Sequence, residues 1–127
     1  MYKVCYRPML SGPMHELSIA LNLIEVASEA ARKCGEADVQ AIHLKLGLLS
    51  GVDKDALRPA FELAREGTLL ARAELVIEEI PVVLFCSRCQ TARPAVSVQL
   101  LQCVECGTPS AQILAGREME VFALEVP

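Results

Sequence analysis

Four cysteines set in two pairs, Cys86-Ser87-Arg88-Cys89 and Cys103-Val104-Glu105-Cys106, constrain this chain more than anything else in it. Each pair leaves two residues between its cysteines, and thirteen residues separate the pairs. A two-residue gap lets both thiolates of a turn point at one ion. Two such turns facing each other make a closed tetrahedral sulfur cage, the arrangement a structural Zn²⁺ prefers. An open catalytic zinc keeps three protein ligands and a water, whereas four cysteines fill the shell. Thiolate tetrahedra also accept iron, so a redox centre is the other occupant this donor set allows.

The segment around the cysteines has few apolar residues of its own: Ala92, Val96, Val98, Leu100 and Leu101. That is too little to fold by burial alone, so the metal is expected to be required for this lobe to fold. Gly107 follows Cys106 and suits a left-handed position in its turn; Gln90 follows Cys89, so only one of the two turns has this glycine.

The chain has 127 residues, enough for one ordinary domain with a small metal-held lobe. Hydrophobic residues make up 53% but aromatics only 4%, and Trp is absent, so the core must come from Leu, Ile, Val and Ala. A net charge of -4 argues against a general nucleic-acid binder, which needs a basic face to replace counterions. No apolar run approaches the roughly eighteen residues of a membrane span. In a secreted chain the cysteines could be disulfides, but the opening Met1-Tyr2-Lys3-Val4-Cys5-Tyr6-Arg7-Pro8 lacks the apolar stretch of a signal peptide. A reducing cytoplasm and metal thiolates are therefore expected. Cys5 and Cys34 stand outside the pairs, and Cys34 reads as a small half-buried hydrophobe.

Residues 1–13 carry two prolines, a glycine and no periodic pattern, and read as a flexible or non-native leader. Helical spacing predicts a helix over residues 14–34, with Leu17, Ala20, Leu21, Ile24, Ala27 and Ala31 on one stripe and Ile19, Leu23 and Val26 widening it. Val39 to Leu46 alternates as a strand, with Ile42, Leu44 and Leu46 opposite His43 and Lys45, and His43 on that polar side reads as solvated. A loop from Gly47 to Gly51 precedes a second helix, Asp55 to Glu66, which buries Leu57, Ala60, Phe61 and Ala64 and keeps Pro59 near its first turn. Further strands are predicted over Ala73–Glu79 and Glu118–Val126, with Val82–Phe85 leading straight into the first cysteine pair. The fold class is α+β: a small mixed three-stranded sheet with two helices and an inserted zinc-ribbon-like lobe with two C-x-x-C knuckles. The expected domains are an α/β part, residues 14–85 and 110–127, and a metal lobe, residues 86–109.

Met14-His15-Glu16 opens the first helix, and the chain has only two histidines. One reading is a solvated first turn, with Glu16 suiting the helix N-terminus. The other is chemical. If the chain starts at Met14, its amine, the backbone nitrogen of His15 and the His15 imidazole close two chelate rings on one ion. Nitrogen donors in a plane suit Ni(II) or Cu(II) rather than tetrahedral zinc. The backbone nitrogen of Glu16 could complete the square, with its carboxylate close by.

Met14-His15-Glu16-Leu17-Ser18-Ile19-Ala20, Leu44-Lys45-Leu46-Gly47, Ala60-Phe61-Glu62 and the two cysteine pairs, in that order, resemble the HypA/HybF family of hydrogenase nickel-insertion proteins. The resemblance runs from Met14 to about Val126. It implies a metallochaperone that binds Ni(II) at the Met-His-Glu end, keeps structural Zn²⁺ in the cysteine lobe and delivers nickel during maturation of [NiFe]-hydrogenase. The implied partners are the nickel-handling GTPase HypB and the hydrogenase large subunit. Carried over by residue, His15 and Glu16 are nickel ligands, Met14 joins them if it is the N-terminus, Asp53 contributes an oxygen nearby, and Cys86, Cys89, Cys103 and Cys106 bind zinc. In the family that Met is the initiator. Here Pro13 precedes it, so its nitrogen is an amide; the expectation is that Met14 is the true start.

A zinc-ribbon adaptor binding protein or nucleic acid is the rival reading, and an electron carrier with iron in the cage a third. No nucleophile, base and orienting acid stand out together, so the chain is not expected to be an enzyme.

Overall fold

The computed structural model describes residues 2, 3, 16–36 and 38–127. Its elements are β1 (Tyr2–Lys3), α1 (Glu16–Lys33), β2 (Ala41–Gly47), α2 (Lys54–Ala64), β3 (Glu74–Ile80), β4 (Val83–Cys86), β5 (Thr91–Pro94), β6 (Ile113–Ala115) and β7 (Met119–Glu125). They form a four-stranded sheet in the order β1-β7-β2-β3 and a three-stranded sheet in the order β5-β4-β6. The chain divides into two compact units.

The first unit takes in Met1–Lys45, Val52–Glu78 and Met119–Pro127. The bonds from Gln40 N–H to the Glu125 carbonyl and from Glu74 N–H to the Gln40 carbonyl tie β2 to a strand on each side. Alternation puts Ile42 and Leu44 of β2 in the core with Val121 and Ala123 of β7, while His43, Lys45 and Phe122 are half-buried on the other face. Two residues more than the three-stranded expectation pair here: Tyr2 lies opposite Glu125 and Lys3 opposite Leu124, antiparallel. The rest of the anticipated leader lies outside the described residues.

α1 covers this core with Ile19, Ala20, Leu23, Ile24, Ala27 and Ala31. The stripe is rotated from the expected one: Leu17 and Leu21 are 47% and 53% exposed. The helix is apolar around most of its circumference, so periodicity defines an axis but cannot choose between adjacent faces; packing against α2 and β7 chooses. Asp53 caps α2, its side chain accepting from Asp55 N–H at 2.9 Å, and Leu57 and Phe61 are its buried residues. Pro59 stands inside the helix, further in than expected. There it removes one backbone donor, and the burial of Leu57 and Phe61 on either side holds the helix through it.

β3 lies at the edge of its sheet. Two arginines of the α2 segment reach its backbone: Arg58 Nη1 donates to the Leu75 carbonyl at 2.8 Å, and Arg65 Nη1 donates to the Ala73 carbonyl.

The second unit consists of Leu46–Gly51 and Glu79–Glu118. Its two segments are joined by backbone bonds from Gly47 N–H to the Glu118 carbonyl, Leu48 N–H to the Ile80 carbonyl and Leu49 N–H to the Gly116 carbonyl, at 2.7, 3.0 and 2.6 Å. So close an approach leaves no room for a side chain at Gly47. A Cβ there would stand 2.1 Å from the Gly116 carbonyl oxygen and 2.6 Å from Arg117 N. Gly116 itself sits at φ +117 against Val82.

Gly47→Ala should therefore cost about 3 kcal/mol or more, because backbone must move. Gly35→Ala, at φ +76 with open space around it, should cost only about 1 kcal/mol. Denaturant unfolding of the two variants checks the order, and equal losses would show that the Gly47 crossing is not tight.

Candidate metal centre

Both cysteine pairs fold into the same local turn. Cys86 ends β4, and the Gln90 N–H returns to the Cys86 carbonyl at 2.8 Å; the Gly107 N–H returns to the Cys103 carbonyl at the same distance. The residue after each pair is left-handed, Gln90 at φ 56 and Gly107 at φ 76. The missing glycine thus does not change the geometry of the first turn. Gln90 carries the cost of a left-handed side-chain residue, and its amide donates to the Ser87 carbonyl across the turn. Backbone N–H also points at sulfur, with Cys89 N 3.3 Å from Cys86 Sγ.

The two turns face each other. Sγ separations are 3.5 Å for Cys86–Cys106, 3.8 Å for Cys89–Cys106 and 4.0 Å for Cys89–Cys103. All four sulfurs lie within 4.8 Å of one another. A regular tetrahedron with Zn–S bonds of about 2.3 Å has S–S edges of about 3.8 Å, so the donor set and its spacing fit tetrahedral zinc. The four thiols are free of disulfides; Cys86 and Cys103 are buried and Cys89 and Cys106 half-buried. No open position for a substrate is built in, and the chemistry such a cage supplies is structural.

Around the cage, the Thr108 hydroxyl lies 3.1 Å from Cys106 Sγ. Hydrogen bonds from the Thr108 side chain and backbone hold the Cys106 thiol down at about 6. At Cys89, the hydrogen bond from Arg93 lowers the value, but burial and the three neighbouring thiols outweigh it and push it up to about 11. In the metal-free cluster Cys106 is therefore the readier thiolate. Sequence reading missed Arg93 and Thr108. Neither lies in a C-x-x-C pair; the signal that could have found them is a polar residue two places from a knuckle (Thr108) or on the strand leaving one (Arg93).

The sites expected at the other end are partly within view. Met14 and His15 lie outside the described residues. Glu16 is the first residue of α1, and its Oε2 lies 3.4 Å from the backbone nitrogen of Asp53, the N-cap of α2. Two acidic residues far apart in sequence therefore meet at one exposed corner, next in the chain to His15. His43 is not simply solvated: its Nε2 lies 2.8 Å from Glu125 Oε2, and its ring meets Phe122 edge-on at 5.8 Å, with Lys45 over the same Phe ring at 5.0 Å. Cys34 is half-buried and disulfide-bonded, correcting the reading of it as an unpaired thiol.

A profile of the HypA family, described as hydrogenase/urease nickel incorporation metallochaperones, matches residues 14–126. The hydrogenase maturation factor HypA of Chloroflexus aggregans is 50% identical over 114 residues, covering 90% of this chain and 100% of its own. That of a Roseiflexus species is 47% identical over 112 residues, covering 88% and 91%. The solution structure of the nickel metallochaperone HypA from Helicobacter pylori superposes with a TM-score of 0.64 at 30% identity, covering 89% of this chain and 97% of that one. Matched along nearly its whole length in profile, sequence and fold, this chain belongs to the HypA family of nickel-incorporation metallochaperones.

Proposed function

We propose that this protein binds Ni(II) at its Met-His-Glu end and delivers it during maturation of [NiFe]-hydrogenase. It does so as a carrier and not as a catalyst. The observation that carries the reading is the meeting of Glu16 with Asp53 at the α1–α2 corner, directly after His15, in a chain of this family. His15 supplies the imidazole and a backbone nitrogen, Glu16 and Asp53 supply carboxylate oxygens at the rim, and Met14 adds an amine where it is the N-terminus. Zn²⁺ belongs to Cys86, Cys89, Cys103 and Cys106, with the C-x-x-C pairs of residues 86–109 as its lobe.

The chemistry of exchange follows from the donors. A backbone nitrogen and an imidazole must both be free of a proton to bind, so nickel uptake releases protons and acidification favours release. Exposed carboxylates give way to a competing ligand more readily than buried thiolates. The partners this role requires are a nickel-handling GTPase of the HypB kind and the hydrogenase large subunit, met in the cytoplasm. Among the described residues no helix is long and apolar enough to cross a membrane.

With zinc already loaded, a chain starting at Met14 should bind one further Ni(II) by calorimetry, and His15→Ala should abolish it. Asp53→Asn should weaken it by about tenfold, the loss of about 1.4 kcal/mol of rim contact. Nickel binding indifferent to His15→Ala would favour the zinc-ribbon adaptor instead. Running the full chain from Met1 in parallel measures what the Met14 amine adds.

Zinc removal should unfold the cysteine-bearing unit, because its own core is so small. Chelation should abolish its strand signal in circular dichroism or NMR, stoichiometric Zn²⁺ should restore it, and Cys103→Ser should resist restoration. A cysteine unit that stays folded after chelation would overturn the structural role of the metal.

A further inference from the structure

A four-thiolate zinc cage carries a formal charge of about minus two, and burial makes that charge costly unless something nearby offsets it. The register of the metal unit puts one cation where it can. In the β4–β5 ladder Thr91 lies opposite Cys86 and Arg93 opposite Leu84, and the next bridge sets Ala95 opposite Cys103. Residues directly opposite share a face, and alternate residues of a strand share a face. Arg93 therefore stands on the sulfur side of its strand, between the partners of the two buried ligands. Leu84, Cys86 and Cys103 form the buried cluster there. Cys89 first, and then Glu105 of the second knuckle, hold the Arg93 guanidinium above its ordinary pKa. Its Nε is buried with no partner. A buried guanidinium nitrogen left unpaired is costly, and the buried cluster on this face of the ladder is built on Cys86 and Cys103.

We propose that Arg93 is a positioning residue for the zinc site: an outer donor and counter-charge on the sulfur face that keeps the cage thiolates on the metal and slows zinc loss. It rests on the zinc reading above. Arg93 does not ligate. It lowers the basicity of a bound sulfur, so that protons and competing electrophiles reach that sulfur less readily, and it compensates part of the cage charge. Arg88, inside the first knuckle, is exposed and is the natural control.

The test is zinc release from the full chain into excess chromogenic chelator, comparing the native protein with Arg93→Gln, Arg93→Lys and Arg88→Gln. Outer-shell donors are worth about 10- to 100-fold in metal affinity. Arg93→Gln should therefore release zinc about tenfold or more faster, Arg93→Lys should recover part of the loss, and Arg88→Gln should match native. Co(II) substitution gives a readout that a packing defect would not move: losing a donor to sulfur raises the energy of its lone pair, so the sulfur-to-cobalt charge-transfer band of Arg93→Gln should shift to longer wavelength with the tetrahedral bands retained. If Arg93→Gln does not fold, the Arg93→Lys band position and release rate decide alone. Native release and an unshifted band in Arg93→Gln would overturn the proposal, as would equal acceleration by Arg88→Gln. A native chain that takes up no zinc would instead overturn the zinc reading itself.

Discussion

The second unit depends on four sulfurs reaching one point. Its buried cluster is Leu84, Cys86 and Cys103, with Cys89, Ala95, Cys106 and Ile113 packed against it. Most of that core consists of metal ligands. In an ordinary domain the core is apolar and a metal site is an addition to it; here, taking the ligands away leaves little to bury. On the zinc reading proposed above, folding of this unit and binding of its ion are one equilibrium. The short strands β4, β5 and β6 pair antiparallel around that cluster. The returns at Gln90 and Gly107 are equivalent, although one of them holds a side-chain residue where glycine would be easier.

The corner at Glu16 and Asp53 is of the opposite kind. It is exposed, it is built from oxygen acceptors and backbone, and its acids also serve as helix-end residues: Glu16 in the first turn of α1, Asp53 as the cap of α2. Carboxylates placed there favour the positive ends of two helices whether or not a cation is present. The corner is thereby formed by ordinary helix-end chemistry. On the proposed function, burial and donor softness are what set a permanent ion apart from a transient one.

Much of this was legible in the chain. The cysteine spacing specified the cage, alternation located β2, β3 and β7, and Asp53 was singled out before its position beside Glu16 was visible. What escaped had physical reasons. The face of α1 was ambiguous because too many of its residues are apolar, so Leu17 and Leu21 were assigned inward and lie outward. β5 carries no hydrophobic alternation, since Thr91–Pro94 is mostly exposed and is held by its pairing with β4. Arg93 is invisible to motif reading because its role arises from which residue a ladder sets opposite it. His43 looked solvated because only the fold brings Glu125 and Phe122 to it.

Arg58 and Arg65 carry a separate consequence. An outermost strand offers a row of carbonyls to any extended peptide that drifts by, and such rows are where chains stack into fibres. On β3 the acceptors of Ala73 and Leu75 are already taken by Arg65 and Arg58, and Glu74, Glu78 and Glu79 stand exposed along the same strand. A visiting strand would have to dislodge two guanidinium groups and then lie against like-signed carboxylates. A carrier that must meet its clients repeatedly cannot polymerise with itself, and this rim is closed to that at the level of single hydrogen bonds.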